Sequence, residues 1–234
     1  MLEVSHLTKK FGKVTANSDI SFFLPDRSIT ILLGPNGAGK STAIKSIIGF
    51  LKYEGSILVN HIPNKSLEAK RLIGYVPEFP ALYPNLTVAE HLEFIARAYK
   101  LKDYKEYAEE LLTRFELIDK KAKFGDELSK GMQQKLSICC ALLPRPQVLL
   151  FDEPMVGLDP HAIKELKLLF EELKAKGASL LISTHMIDSV DTLWDETLIM
   201  KAGQVIAHVR KDELKQTGQT LEDIFFEKTE KELS

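Results

Sequence analysis

Cysteine is nearly absent from this 234-residue chain, and the two present, Cys139 and Cys140, are neighbours. Adjacent residues rarely pair usefully and nothing here has metal-ligand spacing, so a disulfide framework and a thiolate zinc site are excluded. Two reduced thiols suit a cytoplasmic protein. A basic surplus is missing as well, with 31 Lys and Arg against 33 Asp and Glu and a formal net charge of -2. Binding to a phosphate backbone draws on such a surplus, so nucleic acid is not expected as the main partner. Long apolar runs are also lacking. A membrane helix needs roughly 20 consecutive apolar residues, and runs such as Val148 to Phe151 and Leu180 to Ile182 fall far short. No direct membrane insertion is expected, and any membrane role must come through a partner. The opening Met1-Leu2-Glu3-Val4-Ser5-His6 has no basic head before an apolar stretch, so no signal peptide is expected.

The rest of the composition is that of a soluble globular protein, 44% hydrophobic and 27% charged, long enough to bury a full core. Short apolar runs alternate with helical patterns, the mark of an α/β fold. Ser28 to Leu33 reads as a buried strand that runs through a glycine-rich turn into a helix over Ser41 to Phe50. Val148 to Phe151 and Ser179 to Ser183 read as further buried strands. Between them Ala162, Ile163, Leu166, Leu169, Phe170 and Leu173 recur at helical spacing. From about Phe79 to Leu143 strand signals fade. There Thr87-Val88-Ala89-Glu90 forms a capping box, followed by an apolar stripe of Val88, Leu92, Ile95, Ala96 and Tyr99. A second stripe follows at Tyr104, Tyr107, Ala108, Leu111, Leu112 and Phe115. This stretch reads as a helical lobe inserted into the α/β core. Near the end, Thr220 and Asp223 are placed to cap a last helix with Leu221, Ile224 and Phe225 inward.

The glycine-rich turn has a chemistry of its own. Gly34-Pro35-Asn36-Gly37-Ala38-Gly39-Lys40-Ser41-Thr42 matches the phosphate-loop pattern G-x-x-x-x-G-K-[ST]. Glycines let the backbone curl so that successive N–H groups face phosphate oxygens. The helix that starts near Lys40 adds its positive dipole end. Lys40 can reach the β- and γ-phosphates, and the Ser41 hydroxyl can hold Mg²⁺. Strand, loop and helix in this order point to a nucleoside triphosphate. The strand at Val148 ends in Asp152 and Glu153. A carboxylate at that place can hold Mg²⁺, directly or through water, and Asp152 is expected to do so. Glu153 is placed to orient or deprotonate an attacking water.

With these residues in hand, Leu128-Ser129-Lys130-Gly131-Met132-Gln133-Gln134 resembles the L-S-G-G-Q signature of the ATP-binding-cassette (ABC) ATPases, and it lies upstream of the acid strand as in that family. Gly157-Leu158-Asp159-Pro160 looks like the family's D-loop, and His185 after Ser183-Thr184 like its switch histidine. Phe11 sits where the family usually places an aromatic that stacks on adenine. The resemblance runs from Leu2 to about Val209. It implies a P-loop NTPase, RecA-like core with an antiparallel β-subdomain and an inserted helical subdomain. The whole chain, 1–234, would be one ABC ATPase domain, with its core at about 1–78 and 144–209, the helical lobe at 79–143 and a helical tail at 210–234.

The resemblance also implies a head-to-tail cassette pair, homodimeric or otherwise, with ATP sandwiched between one subunit's Gly34–Thr42 loop and the other's Ser129 and Gly131. His185 would contact the γ-phosphate and fix the attacking water, and Asp159 would serve both as a helix N-cap and as a dimer contact. ATP would hold the pair closed, hydrolysis would release it, and a separate transmembrane permease would be driven through its cycle. The chain would then sit in the cytoplasm, peripheral on the inner face of the membrane through that permease. Departures from the pattern are informative. Glu78 follows Tyr75-Val76-Pro77 where the family commonly has glutamine contacting Mg²⁺ and water; a carboxylate can still ligate Mg²⁺. Lys130 and Met132 replace a glycine and a glutamine of the signature, and Phe11 replaces the usual tyrosine. Pro77-Glu78, the segment Ala81 to Val88 and Ser129 to Met132 look like exporter-type cassettes. Phe79, Leu82 and Tyr83 stand where the family accepts its permease's coupling helix.

Two other readings compete. A non-transport cassette of translation or repair would carry two cassettes or coiled coils and zinc fingers, which are absent. A regulatory cassette without turnover conflicts with retention of Lys40, Asp152, Glu153 and His185.

Overall fold

The computed structural model describes residues 1–190 and 193–230. Its strands form two sheets. The larger has β3 (Ile29–Leu33), β6 (Ile73–Val76), β7 (Val148–Asp152), β8 (Ser179–Thr184), β9 (Glu196–Lys201) and β10 (Gln204–Arg210), in the order β10-β9-β3-β8-β7-β6. All its pairings are parallel except that of the edge strand β10 with β9.

A parallel sheet is covered on both faces, so its strands are continuously apolar. All five residues of β3 are buried, and so are those of β7. Successive side chains then serve two different cores, because a strand alternates faces with period two. Ile29, Ile31 and Leu33 join Leu149, Phe151, Leu180 and Ile182 on one face, where Phe115, Leu136, Leu166 and Phe170 complete the core. Leu32 joins Leu150, Leu181 and Leu198 on the other, against Ala43, Ile44 and Ile47. Each such Leu or Ile contributes roughly 1.5–3 kcal/mol on burial.

That second face lies beneath α1 (Lys40–Ile47) and a four-stranded antiparallel sheet. It is made of β1 (Leu2–Phe11), β2 (Val14–Leu24), β4 (Glu54–Val59) and β5 (Ile62–Pro63) in the order β2-β1-β4-β5. The short α2 (Leu67–Leu72) leads back into β6.

Between β6 and β7 come α3 (Val88–Tyr99), α4 (Lys105–Arg114) and α5 (Lys130–Leu142), with no named strand among them. The capping box of α3 forms as its sequence predicts: Thr87 N–H donates to Glu90 Oε2 at 2.7 Å and Glu90 N–H to Thr87 Oγ1 at 3.2 Å. Val88, Leu92 and Ala96 are buried, as are Ala108, Leu111, Leu112 and Phe115 of the second stripe. α6 (Pro160–Ala175) packs the same core through Leu166 and Phe170. After β10 follow α7 (Lys211–Thr217) and α8 (Leu221–Glu230). Thr220 caps α8, its Oγ1 accepting Asp223 N–H at 3.1 Å while its own N–H donates to Asp223 Oδ2 at 2.9 Å, and Leu221 is buried with Ile224 and Phe225 half-buried behind it. Residues 231–234 of the expected tail lie outside the described residues.

Candidate functional site

Strand order concentrates the chemistry. β8 lies between β3 and β7, and the register pairs Leu33 with Thr184 and Asp152 with Ser183. The loop after β3, the acids ending β7 and the histidine after β8 therefore emerge side by side at the carboxyl edge of the sheet, where open α/β sheets place their ligands.

The Gly34–Thr42 loop is pinned by its neighbours. Gly34 N–H donates to Thr184 O at 3.2 Å, and a Cβ on Gly34 would collide with Met200 O. Gly39 sits at φ +99 and begins α1; a Cβ there would lie 2.5 Å from Ala16 O and 2.6 Å from Asn17 Nδ2. Glycine is required on both counts. Asn17, fully buried on β2, donates through Nδ2 to Gly39 O at 3.1 Å. Pro35, Asn36 and Gly37 are exposed at the loop tip, Ala38 is buried, and Ser41 and Thr42 are half-buried in the first turn of α1.

Lys40 is buried, and its Nζ donates to Gly34 O at 2.7 Å and lies 3.3 Å from Glu153 Oε1. Ser41 Oγ donates to Asp152 Oδ1 at 3.0 Å, and Ser183 Oγ donates to the same oxygen at 2.7 Å. Ser183 Oγ in turn accepts Glu153 N–H at 3.1 Å. Glu153 takes a positive φ of 48 at this turn, which swings its side chain back under the loop. His185 Nδ1 stands 3.1 Å from Glu153 Oε2. Lys40, Ser41, Asp152, Glu153 and His185 thus form one connected group. Asp152 and Glu153 are 1% and 6% exposed, which makes the pairing obligatory, because an unpaired buried carboxylate is costly.

Glu78 is half-buried in the loop after β6. It shares with Asp152 the lining of a cavity of about 720 Å³, but no hydrogen bond among the described residues joins the two. Both charges add to the burial that pushes the Tyr75 phenol well above its usual range. Phe79, Leu82 and Tyr83 line the same cavity together with Phe94 and Tyr99.

The remaining predicted residues stand apart from this group. Phe11, about half exposed, ends β1, with Lys9 Nζ 4.5 Å from its ring centroid. Ser129 is the exposed N-cap of α5 and accepts Met132 N–H at 3.3 Å. Asp159 caps α6, accepting Ala162 N–H at 2.9 Å, and that bond, with the charge of Lys135, holds its carboxyl below the usual range. A Cβ on Gly131 would come within 3.2 Å of Gly157 O, so the signature turn and the 157–159 segment touch within the chain.

Asn17, Ser183 and Thr184 were not among the residues expected to shape the site. Ser183 and Thr184 end a buried strand, a position from which contact with Asp152 follows once β8 is known to lie beside β7. Asn17 has no such sequence signal.

Comparison with known proteins adds an independent observation. The ABC transporter family model matches residues 17–156. The chain belongs to the ABC transporter family. It is 37% identical to the ABC-type transporter ATP-binding protein EcsA of Bacillus subtilis (strain 168), over 99% of this chain and 98% of that protein. It is 35% identical to the linearmycin resistance ATP-binding protein LnrL of the same organism, over 92% of this chain and 70% of that one. A solved structure described as the ATP binding subunit of an ABC transporter superposes with a TM-score of 0.92 at 36% identity, covering 98% of this chain and 99% of that one. This ABC ATPase therefore has the P-loop NTPase fold, binds ATP and hydrolyses it, as the ATP-binding subunit of a transporter. No helix among the described residues is long and apolar enough to cross a membrane.

Proposed function

We propose that this ABC ATPase drives a separate transmembrane permease, in the outward direction, through ATP-dependent closure of a head-to-tail pair on the cytoplasmic face of the membrane. The observation that carries the catalytic part is the connected group Lys40, Ser41, Asp152, Glu153 and His185. The Gly34–Thr42 loop and Lys40 hold the phosphates, and Phe11 offers a face to the adenine. Glu153 orients the attacking water and takes its proton, and His185, 3.1 Å from Glu153 Oε2, flanks that carboxylate and reaches the γ-phosphate. Ser129, Gly131 and Asp159 serve the nucleotide of the opposing subunit, which suits the exposure of Ser129 and Asp159 and the separation of all three from this chain's own cradle.

The residues present fit Mg²⁺. Ser41 Oγ and Asp152 Oδ1 are hard oxygen donors 3.0 Å apart, with Glu78 sharing the cavity beside Asp152. No group of three or more His, Cys, Asp or Glu suited to a metal occurs among the described residues. Two or three protein oxygens without a cage match an ion that keeps water and phosphate ligands. When bound, Mg²⁺ supplies positive charge to the phosphate oxygens.

Export is supported by the Pro77-Glu78 and Ser129-to-Met132 variants and by a relative named for linearmycin resistance. Phe79, 77% exposed, and Tyr83, 54% exposed, with Leu82 offer an apolar socket to a permease helix. Two experiments test these readings. Glu153→Gln should lower Mg-ATP turnover by about 10²–10⁴-fold while ATP-bound dimers accumulate in gel filtration; wild-type turnover in that variant would refute the assignment. Alanine at Phe79, Leu82 and Tyr83 should reduce recovery of the cognate permease with the tagged subunit, and unchanged recovery would sink the socket.

A further inference from the structure

Lys135 was given no role above beyond its charge beside Asp159, yet it is an ammonium group whose side chain is only 9% exposed. Taking such a charge out of water is costly unless it is paired. Its Nζ lies 3.3 Å from Glu116 Oε2, in the turn after α4, and 3.6 Å from Asp159 Oδ2, ahead of α6. Three segments distant in sequence therefore meet on one cation. The other oxygen of Asp159 accepts Ala162 N–H at 2.9 Å, so both carboxylate oxygens are engaged and its orientation is set. Lys135 lies four residues beyond Gly131, one helical turn along α5, and Gly131 packs against Gly157 O. The first turn of α5 is thus fastened to the 157–159 segment at two points, one steric and one ionic. That segment follows directly on Asp152 and Glu153.

We infer that Lys135 is a positioning residue for ATP hydrolysis, a clip that registers the Ser129–Gly131 turn against Asp159 so that both meet the opposing subunit's nucleotide as one surface. This rests on the proposed roles of Ser129 and Asp159. Methionine at 135 keeps the apolar stem and removes the charge, whereas arginine restores it. Asn at 159 keeps the helix cap, since Asn and Asp cap equally well, but loses the charge facing Lys135.

The test is steady-state ATPase of the full chain, with affinity for a fluorescent ATP analogue measured in parallel. Lys135→Met should lower kcat at least fivefold with analogue affinity within twofold of wild type. Lys135→Arg should recover most of that loss. Asp159→Asn should lower kcat at least as much as Lys135→Met, since Asp159 also meets the opposing nucleotide itself, and the double variant should be no worse than Asp159→Asn alone, because the two sites share one interaction. A merely structural lysine would shift the melting temperature and leave kcat unchanged well below it. Wild-type kcat in Lys135→Met, failure of arginine to rescue, or additive losses in the double variant would each overturn the clip. Ser129→Ala separates the two levels. If it is impaired while Lys135→Met is not, only the clip falls. If Ser129→Ala hydrolyses ATP normally, the signature role and the clip that acts through it fall together.

Discussion

The nucleotide cradle and the signature surface are built on opposite principles. In the cradle, Lys40, Asp152 and Glu153 are buried and tied to one another or to the loop backbone. At the signature surface, Ser129 and Asp159 are exposed, each fastened by the backbone N–H of its own helix start. The first region is complete within one chain. The second is orientation without a ligand pocket, which is what a surface needs when its ligand is held by another molecule. On the function proposed above, the contrast corresponds to two half-sites on one chain, one assembled by a sheet edge and one by helix caps.

Substitutions should separate the two. Lys40→Ala removes a buried cation facing phosphate, and loss of a charge-assisted bond of about 1.5–3 kcal/mol should weaken ATP binding roughly 10- to 100-fold; titration with a fluorescent analogue measures it. Equal affinity would mean that the cradle does not hold the phosphates. Gly39→Ala attacks the same region through geometry, since its φ is +99 and a Cβ meets Ala16 O. Backbone strain of this kind costs about 1–3 kcal/mol, so urea unfolding should show that loss together with weaker ATP binding.

Ser129→Ala should leave analogue affinity untouched, lower stability by only about 0.5–1 kcal/mol through the lost cap, and weaken ATP-driven dimer formation in the Glu153→Gln background. A loss of single-chain ATP affinity there would break the two-half-site comparison. The smallest effect concerns a tie outside both regions, between the helical lobe and the core. Arg114 on α4 donates to Glu172 on α6 at 2.6 and 2.9 Å, and this bond holds the Glu172 carboxyl below its ordinary value of 4.5. A lowered carboxylate value means the bond stabilises fully above that pH and fades as pH falls through the lower folded value. Arg114→Met should therefore reduce thermal stability at pH 7 by a small, salt-sensitive amount and converge with wild type in acid. A difference that persists at pH 2 would show that the contact is packing rather than charge.

Much of this was legible before any tertiary information. The Gly34–Thr42 loop, the acid pair after Val148 and the caps at Thr87 and Asp159 are local devices, so their residues announce them. The buried strands were readable because short apolar runs bounded by turn residues, such as Val148 to Phe151, fit a strand covered on both faces. The antiparallel sheet was expected from family resemblance alone, since β1 and β2 interleave polar residues and their register shifts break any clean alternation. Asn17 could not be found, because its bond to Gly39 depends on that sheet folding over α1. Glu78 was read as a metal ligand from its place after β6, and the structure brings it to the cavity of Asp152 without a bond between them.

The sequence by itself determined which chemistry is available: a phosphate loop, a carboxylate pair, a histidine and two well-capped helix starts, all set by short-range spacing. Only the tertiary structure decided which groups act together. Strand order is a property of long-range packing, and placing β8 between β3 and β7 brings Glu153 within ion-pair distance of both Lys40 and His185 and Asp152 onto Ser41 and Ser183. The same packing draws Lys135 to Asp159 and Glu116, an arrangement no local pattern encodes, because a buried ammonium settles wherever the folded chain offers it carboxylates.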